Sequence, residues 1–323
     1  MSKLLSLLAP LVIVLALGWY GFSFTFPEEP TLPGKLTTLR LDVDGVQRSS
    51  LVYTPAALTE GAPLILVFHG SAGDGQMARM LYGYRWEALA EREGFVVAFP
   101  DGFEGHFNGC RKKGPYSANE LDIDDIAFMR KLINTLHRHM AINSDAVIAT
   151  GVSNGGQMAL RLALEAPELI RLAAPIATSM PVPENMGCEP SGRPANVLLM
   201  NGTDDPMNPF AGGKVALYGL VGDRGDVLSS ADSARYWAAL GGLPKRPERS
   251  YLADRFLGDD SKIQVERWVA PGKPKVAHYI VHGGGHNAPH PDMRLPRVFG
   301  GTNRDYAAAD LIWAFHKKLP IEP

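Results

Sequence analysis

AVIATGVSNGGQ, residues 146–157, begins as an apolar, β-branched run and ends as the start of a helix. Ala146 to Ala149 reads as a buried strand, and GGQMALRLALEAP from Gly155 has helical periodicity that stops before Pro167. Between them stands Gly151-Val152-Ser153-Asn154-Gly155, a G-x-S-x-G. A serine at such a strand-to-helix elbow is thrust out above the C-terminal edge of a sheet. The backbone there is crowded, which accounts for a glycine on each side. The helix N-terminus beneath the serine favours developing negative charge. The pentapeptide alone is weak, because a chain of this composition carries one by chance about one time in ten. Its position between strand and helix is what separates it from an ordinary glycine-rich turn with a surface serine.

The flanking sequence extends the pattern. LILVFHG (64–70), FVVAFPDG (95–102), LAAPIA (172–177), NVLLMNG (196–202) and VAHYIVHGG (276–284) are apolar runs of the kind that form parallel strands buried on both faces. LTTLRLDVD (36–44) and RSSLVYT (48–54) alternate and predict an antiparallel pair. Helical spacing marks 77–93, 124–139, 229–240 and 304–319. Strands alternating with helices predict an α/β fold, a mostly parallel, doubly wound sheet with helices on both faces. One domain is expected over 35–323. The segment 210–275, rich in Gly, Pro and charge around one helix, reads as an excursion near the site.

A net charge of −2 over 323 residues shows no basic footprint, which argues against a nucleic-acid partner. Residues 1–26 carry one charge, Lys3, and the uncharged run 4–27 is long enough to span a bilayer. Ala16-Leu17-Gly18 resembles a weak cleavage site of a secretory signal. The aromatics that follow, Trp19, Tyr20, Phe22, Phe24 and Phe26, suit a membrane interface and favour an uncleaved anchor. Both readings export the domain to a periplasm or cell exterior, joined by the Pro-rich linker 27–34. The two cysteines, Cys110 and Cys188, exclude a disulfide framework and a Cys-based zinc site. In an oxidising compartment one bond between them would tie two loops near the site mouth.

A serine nucleophile needs a base, and the base needs an orienting carboxylate. In the expected chain order, Asp204-Asp205 follows the strand 196–202, and His286 lies in the glycine-rich loop after the last strand. His282, His286 and His290 are spaced four apart, but such spacing converges ligands only on a helix, and HGGGHNAPH is a loop. The base reading is therefore preferred to a metal site. The oxyanion donors expected are the backbone N–H of Asn154 and that of Ser71 or Ala72 in the loop FHGSAGDG. His69 in that loop reads as structural. The acidic run ELDIDD (120–125) lacks calcium-loop spacing, and Asp124 or a neighbour is expected to cap the following helix. Phe103, His106, Phe107 and Tyr116 either line the pocket or pack beneath their loop.

LVFHGSAGDG, FVVAFPDG, DIDDIAFMRKLI, TGVSNGGQMA, CEPSGRPANVLLMNGTDDPMNPFAGG, WAALGG and VHGGGHNAP occur in that order. Together they resemble exported α/β-hydrolases, the poly(3-hydroxybutyrate) depolymerase-like esterases related to feruloyl and acetylxylan esterases. The resemblance covers residues 35 to the C-terminus. It implies an α/β-hydrolase fold and a triad of Ser153, Asp205 and His286, with Asp204 as the alternative acid. It implies a small or oligomeric ester as substrate, and no cofactor or metal. The family often has an aromatic two residues after the catalytic histidine, as in His-Thr-Trp-Pro-Gly. Ala288 stands there, which is expected to remove a wall that could stack on a sugar or aryl ring. The resemblance thus supports carboxylic ester hydrolysis better than any named substrate. A peptidase or amidase with the same triad, and an anchored binding protein without activity, are the rival readings.

Overall fold

The computed structural model describes residues 18, 21–140 and 142–319. Most of the expected N-terminal anchor or signal lies outside these residues. Among the described residues no helix is long and apolar enough to cross a membrane. In chain order the elements are β1 (Lys35–Val43), β2 (Val46–Thr54), β3 (Ala62–Phe68), α1 (Gly75–Leu81), α2 (Arg85–Glu93), β4 (Val96–Pro100), α3 (Ser117–Glu120), α4 (Asp125–Met140), β5 (Ile142–Val152), α5 (Asn154–Glu165), β6 (Leu172–Ile176) and β7 (Val197–Gly202). The short pair β8 (Gly213–Lys214) and β9 (Asp226–Val227) follows, then α6 (Ser230–Leu240), β10 (Glu248–Tyr251), β11 (Lys262–Trp268), β12 (Val276–His282) and α7 (Ala308–His316).

A ten-stranded sheet runs β1-β2-β4-β3-β5-β6-β7-β12-β11-β10. The six central strands are parallel, and antiparallel strands complete both edges. Successive side chains of a strand point to opposite faces, so a strand covered on both sides must be apolar throughout. In β3, Leu64, Leu66 and Phe68 meet Phe128, Leu132 and Leu136 of α4 and the apolar side of α5. Ile65 and Val67 join the opposite core, with Trp86 and Leu89 of α2 and Ile312 and Trp313 of α7. The parallel strands therefore all end at one edge of the sheet, where their loops gather.

Three local features depart from the sequence reading. The helix expected at 77–93 is two helices, broken where Gly83 and Tyr84 both take φ of 57°. The segment 210–275 is not only an excursion, because its β10 and β11 widen the sheet. In β11, Glu266 and Arg267 obscure the apolar positions Ile263, Val265 and Trp268, and Glu266 is buried against Arg249. The closing helix is shorter than 304–319, since Asp305 instead receives the backbone N–H groups of Arg255 and Phe256.

The acidic run before α4 divides its work. Asp124 Oδ1 accepts from Ala127 N at 2.8 Å, a helix cap. Asp125 is buried and pairs with buried Arg48 at 2.6 Å. Its other oxygen accepts from Asn108 N at 2.7 Å, so the pair holds the loop after β4.

Candidate active site

β5 delivers Ser153 to the sheet edge, and α5 begins one residue later. Ser153 has φ 59° and ψ −116°, a backbone conformation that costs a non-glycine residue about 1–3 kcal/mol. Its N–H donates to Ile176 O at 2.9 Å, which holds the turn against β6. A Cβ on Gly155 would stand 2.4 Å from Phe68 O, so only glycine lets α5 start this close to β3. Gly70 brings the loop after β3 alongside, since a Cβ there would lie 3.9 Å from Ser153 Cβ.

The neighbouring aspartates are separated by geometry. Asp205 is buried, and its Oδ2 lies 2.8 Å from His286 Nδ1. Its Oδ1 accepts from the N–H groups of Met207 and Asn208, both at 2.8 Å. Asp204 is exposed and engages Thr203 Oγ1. His286 Nε2 is buried without a hydrogen-bond partner. No hydrogen bond joins it to Ser153 among the described residues.

The His286 loop needs its glycines for close approach: a Cβ on Gly285 would meet Phe299 O at 2.1 Å. His286 N donates to Phe299 O at 2.6 Å, and Gly285 N to Gly301 O at 2.7 Å. The brace 299–301 was not anticipated from sequence, and the Gly300-Gly301 pair is its only local signal. The flanking histidines face elsewhere. His282 Nε2 meets Gln264 Oε1 at 3.1 Å, and His290 Nδ1 accepts from Asp292 N at 3.1 Å. Ala288 is only 3% exposed and belongs to the same apolar core as residues of α2 and α7.

His69 is structural in this arrangement. Its Nδ1–H donates to Gly70 O at 2.6 Å and its Nε2 accepts from Gly102 N at 2.8 Å. Burial pushes its pKa below the ordinary histidine value, which keeps the ring neutral. Phe107 packs beneath the loop against Phe68 and His69, at 5.2 Å and 4.6 Å between ring centres. His106 stacks on Tyr116 at 4.2 Å.

Of the two oxyanion candidates after β3, Ala72 already donates its N–H to His106 Nε2 at 3.2 Å. Ser71 N–H has no such acceptor among the described residues and is the freer donor. The Asn154 side chain does not face the site. It exchanges two hydrogen bonds with the Phe107 backbone, at 2.8 and 2.9 Å, leaving its N–H at the helix start.

No family model matches the chain. It is 30% identical over 260 residues to "Putative esterase NocK" of Nocardia uniformis subsp. tsuyamanensis, covering 79% of this chain and 74% of that protein. The chain belongs to the α/β-hydrolase family of carboxylic esterases. The esterase is also 26% identical over 265 residues to "Probable feruloyl esterase C" of Aspergillus flavus, covering 79% and 82% of the two chains. A solved acetyl xylan esterase from Aspergillus awamori superposes with a TM-score of 0.51 at 16% identity, over 79% of this chain and 95% of that one. That likeness concerns the fold.

In this esterase Cys110 and Cys188 form a disulfide, with Cα atoms 4.9 Å apart. It joins the loop after β4 to the loop before β7. The bond spans 78 residues, so losing it relaxes the unfolded chain substantially. Replacing both cysteines by serine should lower stability by about 2–4 kcal/mol, read as a fall in Tm. The same fall should appear in the wild type under reductant and should be absent from the variant.

Proposed function

We propose that the esterase works by acyl transfer through Ser153. His286 Nε2 takes the serine proton as Oγ attacks an ester carbonyl, and Asp205 holds the imidazole and stabilises its cation. The N–H groups of Asn154 and Ser71 receive the oxyanion, and one such donor contributes about 3 kcal/mol to the transition state. His286 then returns the proton to the leaving alcohol, and water, activated by the same nitrogen, releases the acid. The observation that carries this reading is the His286 ring: Nδ1 is held by a carboxylate 2.8 Å away, while Nε2 is buried with nothing to bond. Ser153 stands on a strained elbow at the same sheet edge, and an unliganded site tolerates a loose serine–histidine contact.

The esterase is read as exported to a periplasm or cell exterior. The disulfide supports this, because such bonds persist in oxidising compartments. The apolar stretch 1–26 supplies the signal or membrane anchor. A fluorophosphonate probe should label the enzyme stoichiometrically, with peptide mapping placing the adduct on Ser153, and p-nitrophenyl butyrate should be hydrolysed. An adduct elsewhere, or none, would overturn the assignment.

A further inference from the structure

Three arginines are buried among the described residues: Arg48, Arg79 and Arg111. The first two have carboxylate partners, Arg48 on Asp125 and Arg79 on Glu87 and Glu29. Arg111, at 4% exposure, pairs with no carboxylate among the described residues. Burying a charge without a counter-charge is costly, and it leaves room for one brought from outside. Burial, reinforced by nearby Arg224, pushes the Arg111 pKa down to about 10, against a smaller opposing pull from Tyr116.

Arg224 adds a second cation. It is half-buried, donates through Nε to Tyr116 Oη at 2.7 Å and through Nη1 to Gly222 O at 2.8 Å, and meets no carboxylate among the described residues. Tyr116 Oη also lies 3.1 Å from Ser71 Oγ. A short chain of polar contacts therefore leads from the proposed oxyanion donor to Arg224. Several contacts fix this arrangement. The disulfide anchors Cys110, Lys112 N donates to Asn185 O at 2.8 Å, and Asn185 Nδ2 donates to Arg224 O at 3.1 Å.

We propose that Arg224 and Arg111, with Tyr116, form a subsite for a carboxylate carried by the substrate, so that the preferred ester bears a free acid beyond the bond cleaved. A guanidinium matches a carboxylate with two parallel hydrogen bonds, which explains arginines rather than lysines here. The subsite rests on the acyl-transfer reading of Ser153.

Two pairs of esters test it and locate the acid. Mono(4-nitrophenyl) glutarate and its methyl-capped diester carry or lack a carboxylate on the acyl side. 4-Acetoxybenzoate and its methyl ester do so on the alcohol side. Wild-type kcat/KM should favour the free acid over the capped ester by about tenfold or more in one pair. Arg224→Gln should reduce that ratio by about tenfold, mostly through KM, and Arg224→Lys should restore part of it. Ratios near one in both pairs, or a ratio indifferent to Arg224→Gln, would overturn the subsite. If none of the four esters is turned over and the fluorophosphonate probe does not react, the acyl-transfer reading fails and the subsite with it. Turnover with no preference removes the subsite alone.

Discussion

Asp205→Asn should lower kcat for p-nitrophenyl butyrate by about 10⁴-fold, while Asp204→Asn changes it by less than about twofold. Asp205 Oδ1 is committed to the N–H groups of Met207 and Asn208. In the variant the amide NH₂ must therefore take the Oδ2 position, 2.8 Å from His286 Nδ1. Nδ1 then has to accept, which moves the ring proton to Nε2 and removes the acceptor proposed for the serine proton. The Asp204 side chain is exposed and accepts from its neighbour Thr203, so its amide alters nothing near the ring. Steady-state kinetics on the two variants, with circular dichroism to check folding, decide the matter. Equal effects at the two positions, or a larger loss at Asp204, would reverse the assignment of the acid.

A second pair of adjacent acids should behave as unequally in stability. Asp125→Ala is expected to cost about 3–5 kcal/mol, because it leaves Arg48 buried without its partner. The same change frees Asn108 N, whose acceptor it removes. Arg48 also donates to Asp101 O at 3.1 Å and lies over the Phe128 ring at 4.3 Å, so the guanidinium cannot escape to water without disturbing α4. Asp124→Ala removes only a helix cap and should cost about 1 kcal/mol. Urea denaturation of both variants gives the comparison. A loss at Asp125 no larger than at Asp124 would show that Arg48 finds another partner.

Much of the fold was legible because its signals are local. The apolar runs of β3 to β7 and β12 report burial on both faces, and the spacing in α4 reports one buried face. The elbow around Ser153 was readable because a turn this tight admits only small neighbours. β10 and β11 were missed because Glu266 and Arg267 hide the inward positions of β11, where Glu266 is buried against Arg249. The break at Gly83 and Tyr84 was missed because the helical spacing continues across it.

The sequence by itself determined the kind of protein: strand and helix order, the serine on its elbow, and a histidine after the last strand. Those features depend on residues close together in the chain. Tertiary structure alone decided which of two adjacent aspartates meets His286, which of two adjacent acids pairs with Arg48, and that Ala288 turns into the core. It also revealed Arg111 near Tyr116 and Arg224 without a counter-charge among the described residues. Neighbours in sequence point in different directions, so the partner of each is settled only when distant loops pack together at the sheet edge.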